Sequence, residues 1–338
     1  TQDSYLRLDN DTLRVLVDDE TRLRVPLQHL QSVVCFGRVG VSLPLMHRLA
    51  EEGMALVLLD ENGRFKARLE GPTSGNVLLR RAQHTQSMDA AFALGIARAC
   101  VAGKVRNARQ VLLRGARDSR SEADAAALTR GAQDLAATLR ALPDAGDLDV
   151  LRGLEGEAAR QYFDRQPLLV KADLRPVFSM DGRTRRPPRD RMNALLSFLY
   201  SMWMNDCRSA LESVGLDPQV GFLHVLRPGR AALALDLMEE FRSFADRLAL
   251  SLVNRQQVQE DDFIVSTGGS VSLKPDARKA VVVAFQERKQ EGVQHPVLKQ
   301  ALPLGLVPLV QARLMARAIR LESDESGLVT GYLPFLVR

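Results

Sequence analysis

The chain has 338 residues, 46% of them hydrophobic and 26% charged, with 46 Lys plus Arg against 41 Asp plus Glu for a net charge of +5. That balance buries a real core and excludes a disordered, collagen-like or low-complexity chain, and the length suits one large domain or two ordinary ones. No apolar run reaches the 18 or more residues of a membrane span, and no basic-plus-apolar leader opens the sequence. The chain begins at Thr1 rather than Met, so a few native residues are expected to precede it. Its three cysteines (Cys35, Cys100, Cys207) are an odd number with no CxxC, which argues against a disulfide framework or a zinc site and for a reducing cytoplasm.

The first 72 residues read as strands. Tyr5–Leu8 and Leu13–Val17 flank the turn Asp9-Asn10-Asp11, and Leu23–Leu27 follows the turn Asp18-Asp19-Glu20. Val33–Phe36 is a further short strand. Ser42 stands where the N-cap of a helix running to Glu52 belongs, with Gly53 as its stop. Met54–Leu59 and Arg64–Leu69 form a hairpin about Asn62-Gly63, residues that tolerate the positive φ such turns need. Gly71-Pro72-Thr73-Ser74-Gly75 marks the domain boundary. Beyond it the period becomes helical over 86–116, 121–141, 148–164, 190–214, 231–256, 275–290 and 297–320. The expected fold is α+β: a small N-terminal β-sandwich-like domain (1–72), a linker (73–79) and a large all-α C-terminal domain (80–338).

Charge is unevenly spread. Residues 1–72 hold nine basic and eleven acidic residues, a net of −2, so the remainder carries +7. The window 80–120 has nine basic residues against Asp89 and Asp118, and 171–191 has seven against three. Concentrated charge of this kind builds a phosphate-binding surface. It is also what solvated helix faces look like in a chain with 39 Arg and 7 Lys.

Two segments could carry chemistry. In Leu151–Phe163, Glu155 lies beside the apolar stripe Leu151, Leu154, Ala158, Tyr162, and Gly153, Gly156, Ala158 and Ala159 remove bulk around it. Such a notch admits a ligand or, equally, a neighbouring helix. In the second segment, His224 closes the run Val220–Leu223, and Asp236 and Glu239 follow three apart on one helical face among apolar neighbours. At least one of these carboxylates is expected to point inward and to need a partner, although acids near a helix N-terminus can also serve the dipole alone. Together, carboxylates from two helices and one imidazole make a mixed O/N site. It suits Mg²⁺ or Mn²⁺ rather than zinc, and beside basic surface it suits phosphodiester chemistry.

Four motifs carry a resemblance. Gly153-x-Glu155-Gly156-x-Ala158-Ala159-x-x-Tyr162-Phe163, Asn193–Tyr200, Gly221–His224 and Leu235–Arg242 occur in the order found in the CRISPR-associated integrase family. This is the universal metal-dependent DNA endonuclease of the CRISPR adaptation module, and the chain looks most like a subtype I-C member. The resemblance implies that Glu155, His224 and Glu239 bind the metal and that Asp236 is a further acidic position, with Glu239 and Asp236 less firmly distinguished. It implies insertion of short DNA duplexes into a CRISPR array by 3′-hydroxyl attack. It also implies a homodimer formed through the β domain and a small ferredoxin-like adaptation partner, with no membrane association. Arg183, Arg185, Arg186, Arg189, Arg191 and Arg242 are the expected DNA contacts, with Pro187-Pro188 keeping their stretch extended. A nuclease acting on branched or single-stranded DNA without integration, and a metal-free DNA-binding scaffold, are the alternatives.

Overall fold

The structure, a computed structural model, describes residues 2–30, 32–60, 65–69, 71, 76–178, 180–184, 186–322 and 331–337. The chain divides into two compact units, Thr1–Gly75 and Asn76–Arg338. The Asn62-Gly63 turn and most of the Gly71–Gly75 stretch lie outside the described residues.

In the first unit β1 (Ser4–Asp9), β2 (Thr12–Val17) and β3 (Glu20–Pro26) form an antiparallel meander. Its turns carry Asn10 at φ 50° and Asp18 and Asp19 at 52° and 61°, the left-handed region that short polar side chains tolerate best after glycine. Next come β4 (Ser32–Phe36), β5 (Val39–Val41), α1 (Leu43–Glu51), β6 (Ala55–Leu59) and β7 (Phe65–Leu69). One sheet has the order β3-β2-β1-β5 and the other β4-β6-β7, with β5 parallel to β1 and β4 parallel to β6. Leu6 and Leu13 from the first sheet, Cys35 and Leu56 from the second, and Leu45 and Leu49 from α1 share one core. Ser42 precedes α1 as expected, but its hydroxyl makes no capping bond.

The second unit is mostly helical: α2 (Val77–Met88), α3 (Ala90–Asp118), α4 (Glu122–Ala141), α5 (Leu148–Arg165), α6 (Arg175–Phe178), α7 (Arg191–Ser213), α8 (Ala232–Met238) and α9 (Arg242–Asn254). Then follow β8 (Phe263–Val265), β9 (Val271–Leu273), α10 (Pro275–Gln290), β10 (Gly292–Gln294), β11 (Ala301–Pro303) and α11 (Val307–Ile319). Asp89, Ser121, Asp147 and Asp190 cap α3, α4, α5 and α7, each side chain accepting backbone N–H groups of the first turn.

Three differences from the sequence expectation have physical causes. Two hairpins, β8–β9 and β10–β11, interrupt the region expected to be wholly helical, and their three-residue strands are too short to give a period. The helix expected over 297–320 begins only at Val307, because Pro303 lacks an N–H and holds the residue before it extended. The helix expected over 231–256 is broken into α8 and α9 by a tight 3-10 turn at Glu239–Phe241. That turn re-aims the carboxylate of Glu239.

Helix α3 runs through the centre, against α4, α5, α9 and the Glu239–Phe241 turn. An aromatic cluster anchors the other side of the turn. Trp203 stacks on Phe241 with centroids 5.2 Å apart, Phe241 stacks on Phe335 at 6.2 Å, and Phe285 meets Trp203 edge-on.

Candidate metal centre

Three pieces of chain meet against α3. Helix α5 presents Glu155, three-quarters buried, and the 3-10 turn presents Glu239, only 2% exposed. The loop before α8 presents His224, and α3 itself presents Lys104. The Lys104 ammonium bridges the two carboxylates, contacting Glu155 Oε1 and lying 2.7 Å from Glu239 Oε2. His224 Nε2 faces Glu239 Oε1 at 3.8 Å.

Asp236 is fully buried and organises the loop. Its Oδ2 accepts the backbone N–H of Phe222 (2.6 Å) and Leu223 (3.0 Å), and its Oδ1 accepts the N–H of His224 (3.0 Å). His224 Nδ1 lies 2.6 Å from the same Oδ1. A carboxylate that already receives three N–H groups has no proton to give, so Nδ1 donates and Nε2 is the bare nitrogen turned toward Glu239. The loop can wrap this closely because residue 221 is glycine. A Cβ there would meet Asp236 Oδ2 at 2.7 Å and the Ala232 carbonyl carbon at 2.7 Å.

Arg242 lies one turn beyond Glu239 and grips it with two parallel bonds, Nε to Oε2 (2.8 Å) and Nη2 to Oε1 (2.7 Å). Burial opposes ionisation of Glu239 most strongly. Arg242 and Lys104 outweigh it and hold the carboxyl well below its ordinary range. Beneath, Arg242 and Arg183 sit over the Tyr200 ring at 4.9 and 5.2 Å from its centroid. The hydroxyls of Tyr200 and Tyr162 both donate to buried Asp246, whose pKa burial raises to about 6 against those bonds. These layers fix Arg242 and therefore Glu239.

Gly153 and Gly156 are exposed, and a Cβ built on either meets nothing within 4 Å. Beside Glu155 the surface is thus open for something flat or bulky to approach, and these two glycines are not a helix-packing notch. Ala158 and Tyr162 do face inward and are buried.

The donor set fits a divalent metal. Glu155 and Glu239 supply hard oxygens and His224 a bare nitrogen oriented by a buried carboxylate, and the space between the two acids already holds a cation. With Lys104 there, no three His, Cys, Asp or Glu side chains among the described residues form a ligand group.

The expected DNA-contacting arginines separate. Arg183 binds the side chains of Asn193 and Ser197, Arg191 forms a surface pair with Glu260, and Arg242 holds Glu239. Arg186 is exposed, as is Arg189, which donates to the Gly268 carbonyl; Arg185 lies outside the described residues. In the earlier basic window Arg98 and Arg109 donate to the carbonyls of Ala145 and Ala132, whereas Arg81, Arg106 and Arg120 are exposed. In the sequence Lys104 is only one charge of that window. Its one signal is its type: it is one of seven lysines in a chain with 39 arginines. Asp246 and Tyr200 are likewise not among the sequence-predicted site residues.

Apart from the centre lie a buried histidine and the cysteines. His295 is fully buried, with Nε2 3.1 Å from Gln311 Oε1 and Nδ1 accepting from the Leu298 N–H. Cys35, Cys100 and Cys207 are all free and buried. Among the described residues no helix is long and apolar enough to cross a membrane.

An α+β chain that brings two carboxylates to one cation and turns an oriented imidazole toward one of them has residue types suited to a metal-dependent nuclease. The pattern that defines the family described as CRISPR associated protein Cas1 matches residues 1–287, and the chain belongs to that family. It is 53% identical over its whole length to a CRISPR-associated endonuclease Cas1 of Moorella thermoacetica, covering 97% of that protein, and 44% identical to one of Chlorobaculum tepidum, also covering 97%. It is thus an enzyme of the CRISPR-associated endonuclease class. Among solved structures, a Cas6-RT-Cas1–Cas2 complex matches 98% of this chain and 35% of the other at 27% identity with a TM-score of 0.79. A casposase bound to integration product matches 96% of this chain and 90% of the other with a TM-score of 0.80; at 22% identity it attests the fold alone.

Proposed function

We propose that this enzyme is the DNA integrase of CRISPR adaptation, joining short duplexes into the array by attack of their 3′-hydroxyls on repeat phosphodiesters. The observation that carries the reading is the convergence of Glu155 and Glu239 on one ammonium, with His224 Nε2 facing Glu239. Glu155, His224 and Glu239 would hold a Mg²⁺ or Mn²⁺ ion there. Such an ion supplies charge neutralisation at the phosphate and activation of the attacking hydroxyl or water. Asp236 is a positioning residue: it fixes the imidazole tautomer and the loop and does not face the site. Arg242 keeps Glu239 ionised and aimed. The open face at Gly153 and Gly156 lets a DNA backbone approach Glu155, and the exposed Arg81, Arg106, Arg120, Arg186 and Arg189 are the phosphate contacts this reading assigns.

The reading extends to assembly. The strand unit would form the homodimer, and a small ferredoxin-like adaptation protein would join two such dimers. The similarity to a Cas6-RT-Cas1–Cas2 complex supports a protein partner.

Labelled duplexes with 3′ ends, a target bearing a CRISPR repeat, the partner protein and Mn²⁺ test the proposal. Joined products that disappear in Glu155→Ala and His224→Ala, with DNA binding retained, are the expected result. Cleaved but never joined products would favour a nuclease without integration, and full activity in both variants would refute the site.

A further inference from the structure

The cation already at the centre is part of this protein, and its type matters. Glu155 has Lys104 as its one ion-pair partner among the described residues, whereas Glu239 has Arg242 as well. Without Lys104, two carboxylates converge in a largely buried space with Arg242 alone to offset them, which is costly. We propose that Lys104 is the exchangeable counter-cation of the metal-free centre: its ammonium holds the place between Glu155 and Glu239 and leaves it when a divalent ion enters. The inference rests on the metal site proposed above.

Three observations support exchange over a permanent ion pair. First, the ammonium stands between the two acids that the site would give to a metal, so both cations cannot hold that place together. Second, the side chain keeps a route out, being 15% exposed at the end of a flexible four-carbon stem. Third, the residue is lysine where the neighbouring cations are arginines. Arg242 grips Glu239 through two fixed, parallel bonds and is built to stay. An ammonium is a compact, strongly hydrated point charge with rotatable donors, which binds a carboxylate pair and releases it to water more readily than a guanidinium fork. A centre that lacked this residue would expose unpaired acids whenever metal is scarce. One that carried arginine would close against the metal.

The test is Mn²⁺ binding to the full chain without DNA, by electron paramagnetic resonance titration, together with melting temperature in EDTA and in Mn²⁺. Lys104→Met should bind Mn²⁺ on the order of tenfold more tightly than wild type, because no internal cation competes at close range. It should melt lower in EDTA and recover more on adding Mn²⁺. Lys104→Gln, which keeps a polar head, should do the same if Lys104→Met does not fold. Lys104→Arg should bind Mn²⁺ more weakly than wild type. If wild type binds Mn²⁺ in a Glu155-dependent manner but Lys104→Met and Lys104→Gln bind no more tightly, the exchange proposal is overturned while the metal site stands. If neither wild type nor the Lys104 variants bind Mn²⁺ through Glu155, the metal site itself fails and the exchange proposal with it.

Discussion

Asp236→Asn removes one charge and alters almost no volume, so it isolates the role of that carboxylate. In the wild type two oxygens accept four N–H groups: three from the backbone of Phe222, Leu223 and His224 and one from His224 Nδ1. An amide in the same place keeps one accepting oxygen and turns an NH₂ group against donors on the other side. At about 1.5–3 kcal/mol per bond to a charged acceptor, losing two of the four removes roughly 3–6 kcal/mol before relaxation. Relaxation of the loop should leave about 2–4 kcal/mol in urea unfolding, a large share of the ~5–15 kcal/mol that a folded domain has. The imidazole also loses its orientation, so Mn²⁺ affinity should drop about 10–100-fold, the usual effect of removing a partner behind a ligating histidine. Equilibrium unfolding and Mn²⁺ titration of the same sample read both effects. A variant within about 0.5 kcal/mol of wild type, with unchanged Mn²⁺ affinity, would refute the assignment of Asp236 as the organiser of the loop.

Two further outcomes follow from the same neighbourhood. Gly221→Ala sets a Cβ against Asp236 Oδ2 and the backbone of Ala232 and Leu233, 2.7–2.8 Å away, and should cost about 1–3 kcal/mol in thermal or urea unfolding and weaken Mn²⁺ binding in parallel. Glu240 is fully buried and receives the Tyr332 hydroxyl, the Phe335 N–H and the Gln311 amide; burial, against those bonds, raises its pKa to about 8 from the ordinary 4.5. The folded state therefore binds this proton more tightly than the unfolded one. Its contribution to stability is full at acid pH and declines as pH rises from the unfolded value toward about 8. Melting temperature should fall across that window, and Glu240→Gln should flatten the slope; an unchanged slope would remove Glu240 as its source.

What could be read from the residues, and what could not, divides along physical lines. The strand unit and the long helices announce themselves through period and through turn residues such as Asn10 and Asp18. Glu155, His224 and Glu239 stand out by motif, and of the small residues in those motifs Gly221 has a packing reason, since a Cβ there would meet Asp236 and Ala232. The roles of charged neighbours are not, since a sequence gives a charge but not its partner. Arg183, Arg191 and Arg242 look like surface cations, yet Asn193, Glu260 and Glu239 claim them from sequence positions 3 to 69 residues away. Lys104 contributes one unit to a basic window, and only folding brings it against Glu155, 51 residues on. The turn at Glu239–Phe241 is hidden in an unbroken helical period because no proline or glycine marks it.

Joint binding of one divalent ion by Glu155, His224 and Glu239 is tested most directly by an anomalous difference map from crystals of this protein grown in Mn²⁺. A single strong peak bounded by Glu155, Glu239 and His224 Nε2, with Lys104 turned away, is the expected result. An empty centre at saturating Mn²⁺, with the ammonium still between the two carboxylates, would overturn the assignment.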